Sequence, residues 1–163
     1  MNVFDFAMQM EKDGEAYYRE LAESTDNTGL KAILKFLADE EVKHYIIFKK
    51  LKEGKQDSLP ASNILNDIQN VFVEMKEKGD NYDFDAAQVD FYKKAWDTEK
   101  KSEIFYREKA EETNVVHEKK LLIKVAEEEK CHAEIIEGII EFIKEPNSWM
   151  ENAEWRRMSD LGK

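Results

Sequence analysis

Apolar residues recur along this chain in alternating steps of three and four, the period of helices that bury one face. Leu122, Val125, Ile136, Ile139 and Ile143 share one such stripe, and the two places missing from it are Glu129 and His132. An earlier stripe, Leu34, Leu37, Glu41, His44, Phe48 and Leu51, again seats an acid and an imidazole three residues apart in mid-helix. Two more stripes carry acids inward: Phe4, Met8, Glu11, Glu15, Tyr18 and Ala22, then Tyr92, Trp96, Glu99, Glu103, Tyr106 and Ala110. The pattern predicts four long helices, over residues 3–24, 30–52, roughly 83–112 and 117–144.

The four stripes are two copies of a pair. Glu11 and Glu99, Tyr18 and Tyr106, Glu41 and Glu129, and His44 and His132 are each separated by 88 residues (129 − 41 = 88). One offset shared by four motifs makes the chain an internal duplication of a helix pair.

The connections follow from turn chemistry. Ser24-Thr25-Asp26-Asn27-Thr28-Gly29 and the region of Thr113-Asn114 are short polar turns, which make each helix pair an antiparallel hairpin. Gly54 is placed to cap the second helix, and Asp83 or Asp85 to start the third. Residues 54–82 form the long crossover a duplicated bundle needs. Within it Ser58-Leu59-Pro60 is a break, Ile64, Leu65, Ile68, Phe72 and Met75 outline a short helix, and Lys78-Gly79-Asp80-Asn81 ends it. Pro146 stops the last long helix. Residues 147–163 hold Trp149, Met150, Trp155 and Met158, too much apolar surface for a free end, so this tail is expected on the bundle or on a second subunit. The fold expected is all-α: a four-helix bundle of two duplicated hairpins over 1–145, with a short tail over 146–163.

Composition narrows the partners. The net charge of −11 argues against nucleic acid or an anionic membrane surface. Charged residues make up 37% of the 163, with two prolines and six glycines, which suits long salt-bridged helices. The single cysteine, Cys131, rules out a structural disulfide and a Cys-x-x-Cys module, and it lies off the stripe. Met1-Asn2-Val3-Phe4-Asp5-Phe6 lacks the apolar run of a signal peptide, so a cytoplasmic location is expected.

Ionisable side chains in core positions must be satisfied, because an unpaired buried charge costs several kcal/mol or more. Folding the stripes inward brings together Glu11, Glu41, His44, Glu99, Glu129 and His132. Four carboxylates and two imidazoles in twofold pseudosymmetry suit two divalent ions sharing bridging carboxylates, and two such ions neutralise the four negative charges. The oxygen-rich set favours iron or manganese, with zinc not excluded by affinity. Tyr18 and Tyr106 read as core aromatics that hydrogen-bond the ligands. Glu15 and Glu103, one turn past the ligands, stand open between a ligand or proton-relay role and a salt bridge along the helix.

A Glu from each of two helices and Glu-x-x-His from the other two resembles the ferritin-like di-iron proteins. Within them, Glu11 with Tyr18, Glu41-Val42-Lys43-His44, Glu99 with Tyr106, and Glu129-Lys130-Cys131-His132 resemble the rubrerythrins. The resemblance implies a ferritin-like bundle holding two iron ions. It also implies reduction of hydrogen peroxide or dioxygen, with Glu103, Tyr18 and Tyr106 as the catalytic candidates beside the metal, and assembly as a homodimer. Rubrerythrins usually end in a four-cysteine rubredoxin domain; with Cys131 alone, electrons here must come from an external redox protein. The extra glutamate that rubrerythrins carry three residues after the third-helix ligand is Ser102 in this chain, and the nearest acid is Glu103. An iron-oxidising or iron-binding protein, or a metal-loaded bundle without turnover, is the competing expectation.

Overall fold

The computed structural model describes residues 2–79 and 82–161; Asp80 and Asn81, expected at the end of the crossover helix, lie outside them. Helices α1 (Val3–Ser24), α2 (Thr28–Lys52), α4 (Gln88–Glu112) and α5 (Val116–Lys144) are the four long elements. The crossover contributes α3 (Ile64–Lys78), and the tail folds as α6 (Pro146–Glu151) and a 3-10 segment (Glu154–Asp160). There is no strand among the described residues, and none of their helices is long and apolar enough to cross a membrane. The chain is an all-α ferritin-like bundle.

Each boundary has a local cause. α1 begins where the Asn2 carboxamide accepts the Phe4 amide at 2.7 Å, a side-chain cap that replaces a missing helical partner. α2 starts earlier than the stripe suggests, because Asn27 accepts the Leu30 amide at 2.8 Å and draws Thr28 and Gly29 into the first turn. Gly29 also lets the Met75 side chain of α3 lie close against this turn, where a Cβ would make that thioether shift. Gly54, at φ 76°, ends α2 in the left-handed conformation a glycine accepts cheaply. Asp85 accepts the Ala87 amide at 3.0 Å, making the turn from which α4 starts at Gln88. Pro146 both ends α5 and opens α6, since its missing N–H is harmless in a first helical turn.

α1 with α2, and α4 with α5, pack along their lengths as antiparallel hairpins, and the pairings between hairpins are looser. Two apolar clusters fill the bundle. One end is closed by Phe48, Tyr106, Leu122 and Val125. The other is built around Phe142, whose ring meets Phe72 at 5.4 Å, Tyr82 at 5.4 Å, Phe84 at 5.2 Å and Trp149 at 6.4 Å. That cluster decides the placement of the tail: Trp149, Met150, Trp155 and Met158 are buried on this bundle, against α3 and α5. Between the two apolar ends lies a layer of buried acids and histidines.

Candidate metal centre

The polar layer is where the four stripes bring their ionisable members. Leu34, Leu37, Phe48 and Leu51 on α2, and Leu122, Val125, Ile136 and Ile139 on α5, are all buried, which places Glu41, His44, Glu129 and His132 on the same inward faces. α1 and α4 bring Glu11 and Glu99 to the same level. The six candidate ligands are between 0% and 3% exposed.

They form two overlapping groups. Glu11, Glu41, His44 and Glu129 present ligand atoms within 4.8 Å of one another, and so do Glu41, Glu99, Glu129 and His132. Glu41 and Glu129 belong to both. The imidazoles lie nearly parallel, 5.8 Å between centroids with 15° between planes. His44 Nδ1 sits 2.8 Å from Glu129 Oε1 and 3.5 Å from Glu11 Oε2. His132 Nδ1 sits 3.6 Å from Glu99 Oε1, 3.8 Å from Glu41 Oε1 and 4.0 Å from Glu129 Oε1. Close as they are, Glu11 Oε2, Glu99 Oε2, Glu129 Oε1 and both Nδ1 atoms make no hydrogen bond. Buried polar atoms that converge without pairing with one another have the arrangement of ligands, and their donor set fits two oxygen-preferring divalent ions.

Without ions the acids divide their protons unevenly. Burial, then the charges of Glu11, Glu129 and Glu99, push Glu41 well above the carboxylate range, and burial with Glu99 and Glu11 does the same to Glu129. Burial also acts to raise Glu99, but the close approach of His132 and Glu129 and the His132 charge overcome it and bring the group to about 2. For Glu11 burial is likewise outweighed, by Glu41, His44 and Tyr106, and the group falls below its ordinary value. Burial would lower His44; Glu11, Glu128 and Glu41 together raise it well above the usual imidazole value. Four acids that cannot all ionise at once are what two divalent cations relieve.

The tyrosines anchor the two ionised acids. Tyr18 O–H donates to Glu99 Oε1 at 2.5 Å and Tyr106 O–H to Glu11 Oε1 at 2.7 Å, each reaching from one hairpin to the other. Burial, then the neighbouring carboxylates, raise both phenols, so they remain donors. Glu103 is not among the residues brought together. Its carboxylate is held by Lys100 at 3.0 Å and Arg107 at 2.9 Å on its own helix. Glu15 is the duplicate case, held by Arg19 at 2.6 Å. Ser102 is buried over the centre, and its counterpart 88 residues earlier is Gly14, where a Cβ would lie 3.1 Å from Glu41 Oε2. A cavity of about 200 Å³ between α1 and α4 runs over both small residues to Glu41, Glu99 and Glu129.

One functional residue escaped the stripe analysis. Glu128 Oε1 lies 2.9 Å from His44 Nε2, holding the outer edge of that ring. Cys131, off the stripe, is half-buried on α5, and burial with the nearby acids pushes its thiol up to about 12.

Compared with known protein families, residues 2–140 match the rubrerythrin model. The chain belongs to the rubrerythrin family. No curated protein and no solved structure matches it. The range matched in this rubrerythrin-family protein contains all six candidate ligands.

Proposed function

We propose that this rubrerythrin-family protein is a di-iron oxidoreductase that reduces hydrogen peroxide, drawing electrons from a separate redox protein. The observation that carries the reading is the pair of buried four-ligand groups sharing Glu41 and Glu129, reached by a cavity that no carboxylate from Gly14 or Ser102 blocks. Glu11, Glu41, His44 and Glu129 would hold one ion, and Glu41, Glu99, Glu129 and His132 the other. When bound, two ferrous ions supply the two electrons that, with two protons, convert peroxide to two waters. The side chains do the rest. Tyr18 and Tyr106 fix Glu99 and Glu11 through their O–H donors, the apolar layers above and below exclude bulk water, and the cavity admits a small oxidant.

The test is anaerobic loading with ferrous iron, followed by stopped-flow mixing with peroxide or with dioxygen, with and without an artificial donor. Peroxide oxidising the centre faster, and catalytic consumption only with donor, is the expected result. Iron handling is the second reading, favoured by Ser102 in place of a carboxylate and by the ion pairs that restrain Glu103. Dioxygen reacting as fast as peroxide, with ferric mineral accumulating, would establish it instead.

A further inference from the structure

The duplication places an acid immediately before each Glu-x-x-His: Glu40 before Glu41, and Glu128 before Glu129 (128 − 40 = 88). A symmetric bundle would use both alike, each crossing to the histidine of the other hairpin. Only one does. Glu128 Oε1 meets His44 Nε2 at 2.9 Å, while His132 Nε2, in a residue 1% exposed, has no hydrogen-bond partner. The acid that symmetry assigns to His132 is buried but otherwise engaged: Glu40 Oε1 accepts the Ser62 hydroxyl, and Glu40 Oε2 pairs with Lys43 at 3.3 Å. His132 instead helps to line, with Ser62, Cys131 and Glu128, a cavity of about 250 Å³.

The cause is the crossover, which exists once in a chain that is otherwise doubled. It lays Ser62 over the first hairpin. The position 88 residues later is Met150, an apolar residue of α6 that has no hydroxyl to offer Glu128. Glu128 is therefore available to His44.

The difference matters for metal binding. A neutral imidazole whose Nε2–H donates to a carboxylate has its Nδ1 lone pair fixed inward and made more basic; a ring without that partner is free in tautomer and less firmly oriented. His44 Nδ1 also has the closer acids, the nearest at 2.8 Å against 3.6 Å for His132.

We propose that the two halves of the centre are unequal by construction. Glu128 is a positioning residue that makes Glu11, Glu41, His44 and Glu129 the tighter half, filled first. Ser62 holds Glu40 away from His132, so that Glu41, Glu99, Glu129 and His132 form the weaker half, filled second. This rests on the two-ion reading above.

The test is anaerobic titration of metal-free protein with cobalt(II), followed by visible absorption and calorimetry, with circular dichroism to check each variant's fold. Wild type should show two events separated by about 10- to 100-fold in affinity, the usual effect of a carboxylate behind a metal-bound histidine. The tight event should survive in His132→Ala and vanish in His44→Ala. Glu128→Ala should weaken it by about the same factor, and Glu128→Gln, whose carbonyl still accepts from Nε2–H, should recover most of the loss. Ser62→Ala, in a loop outside the bundle, should strengthen only the second event by freeing Glu40. Two equal events in wild type, or a Glu128→Ala titration indistinguishable from it, would overturn the inequality while leaving the two-ion reading intact. No cobalt uptake at all would overturn both.

Discussion

Removing one hydroxyl, in Tyr106→Phe, isolates how the bundle holds its ligands before metal arrives. The ring keeps its place: Tyr106 is 0% exposed and its centroid lies 5.1 Å from that of Phe48, so phenylalanine leaves no cavity. What goes is the 2.7 Å donor to Glu11 Oε1, an acid that is ionised at neutral pH because its pKa lies below its ordinary value. A hydrogen bond to a charged group contributes about 1.5–3 kcal/mol, and for a chain of this length each kcal/mol moves Tm by about 2–4 °C, so Tm should fall by about 3–12 °C. The pH dependence gives a second check. A lowered carboxylate contributes stability that is present above the unfolded value of 4.5 and is lost as pH falls through the folded one. Without the hydroxyl, Glu11 moves back toward 4.5, so the gap between variant and wild type is widest near neutrality and narrows in acid. The assay is urea unfolding of chelator-treated protein at about pH 7 and again at about pH 4, with Tyr18→Phe as the duplicate experiment on Glu99. A neutral-pH cost under about 0.5 kcal/mol in both variants, or a cost independent of pH, would refute the reasoning.

Three further outcomes are expected. Metal-free protein should lose stability as pH rises from mild acid through neutrality, because the raised Glu41 and Glu129 hold protons in the folded state that the unfolded chain has released, and because the raised His44 gives stability present below 6.5 and lost as pH climbs through its folded pKa; a flat urea-midpoint profile would contradict this. Glu129→Ala, which removes a member of both ligand groups, should cost both ions in metal analysis of iron-loaded protein, whereas Glu11→Ala should cost one. Phe142→Ala should destabilise by about 3–5 kcal/mol in thermal or urea melts, since the ring is fully buried among four aromatics; a loss under about 1 kcal/mol would mean that α3 and the tail do not share its core.

Much of this architecture was legible because apolar period and duplication are properties of the sequence itself. The stripes through Glu41, His44, Glu129 and His132 correspond to buried faces, and the common offset linked all six candidate ligands before any fold was in hand. Position on a stripe does not fix where a long side chain ends, however. Glu103 occupies an inward position, yet Lys100 and Arg107, on neighbouring turns of the same helix, hold its head group. Glu128 is the converse. It lies beside the stripe and reaches His44 across the hairpin interface, a contact that depends on how the hairpins dock; only its shared offset with Glu40 could have drawn attention to it. The start of α2 was ambiguous for a chemical reason, since an asparagine in a turn and an asparagine capping a helix offer the same carboxamide. The apolar content of the tail was plain, but hydrophobicity cannot name the surface it will cover, and that surface proved to be α3 and α5 of the same bundle.

The order in which the ligands occur along the chain has a consequence for synthesis. A chain made from its N-terminus releases Glu11, Glu41 and His44 on one hairpin, three of the four ligands of one group, well before Glu99, Glu129 and His132 exist. A nascent α1–α2 hairpin is thus already a partial chelator. Its apolar face, with that of α3, stays uncovered until α5 and the tail aromatics emerge. Over that interval the growing protein is both metal-seeking and adhesive, and the last segments made, from Glu129 through Met158, end both conditions together.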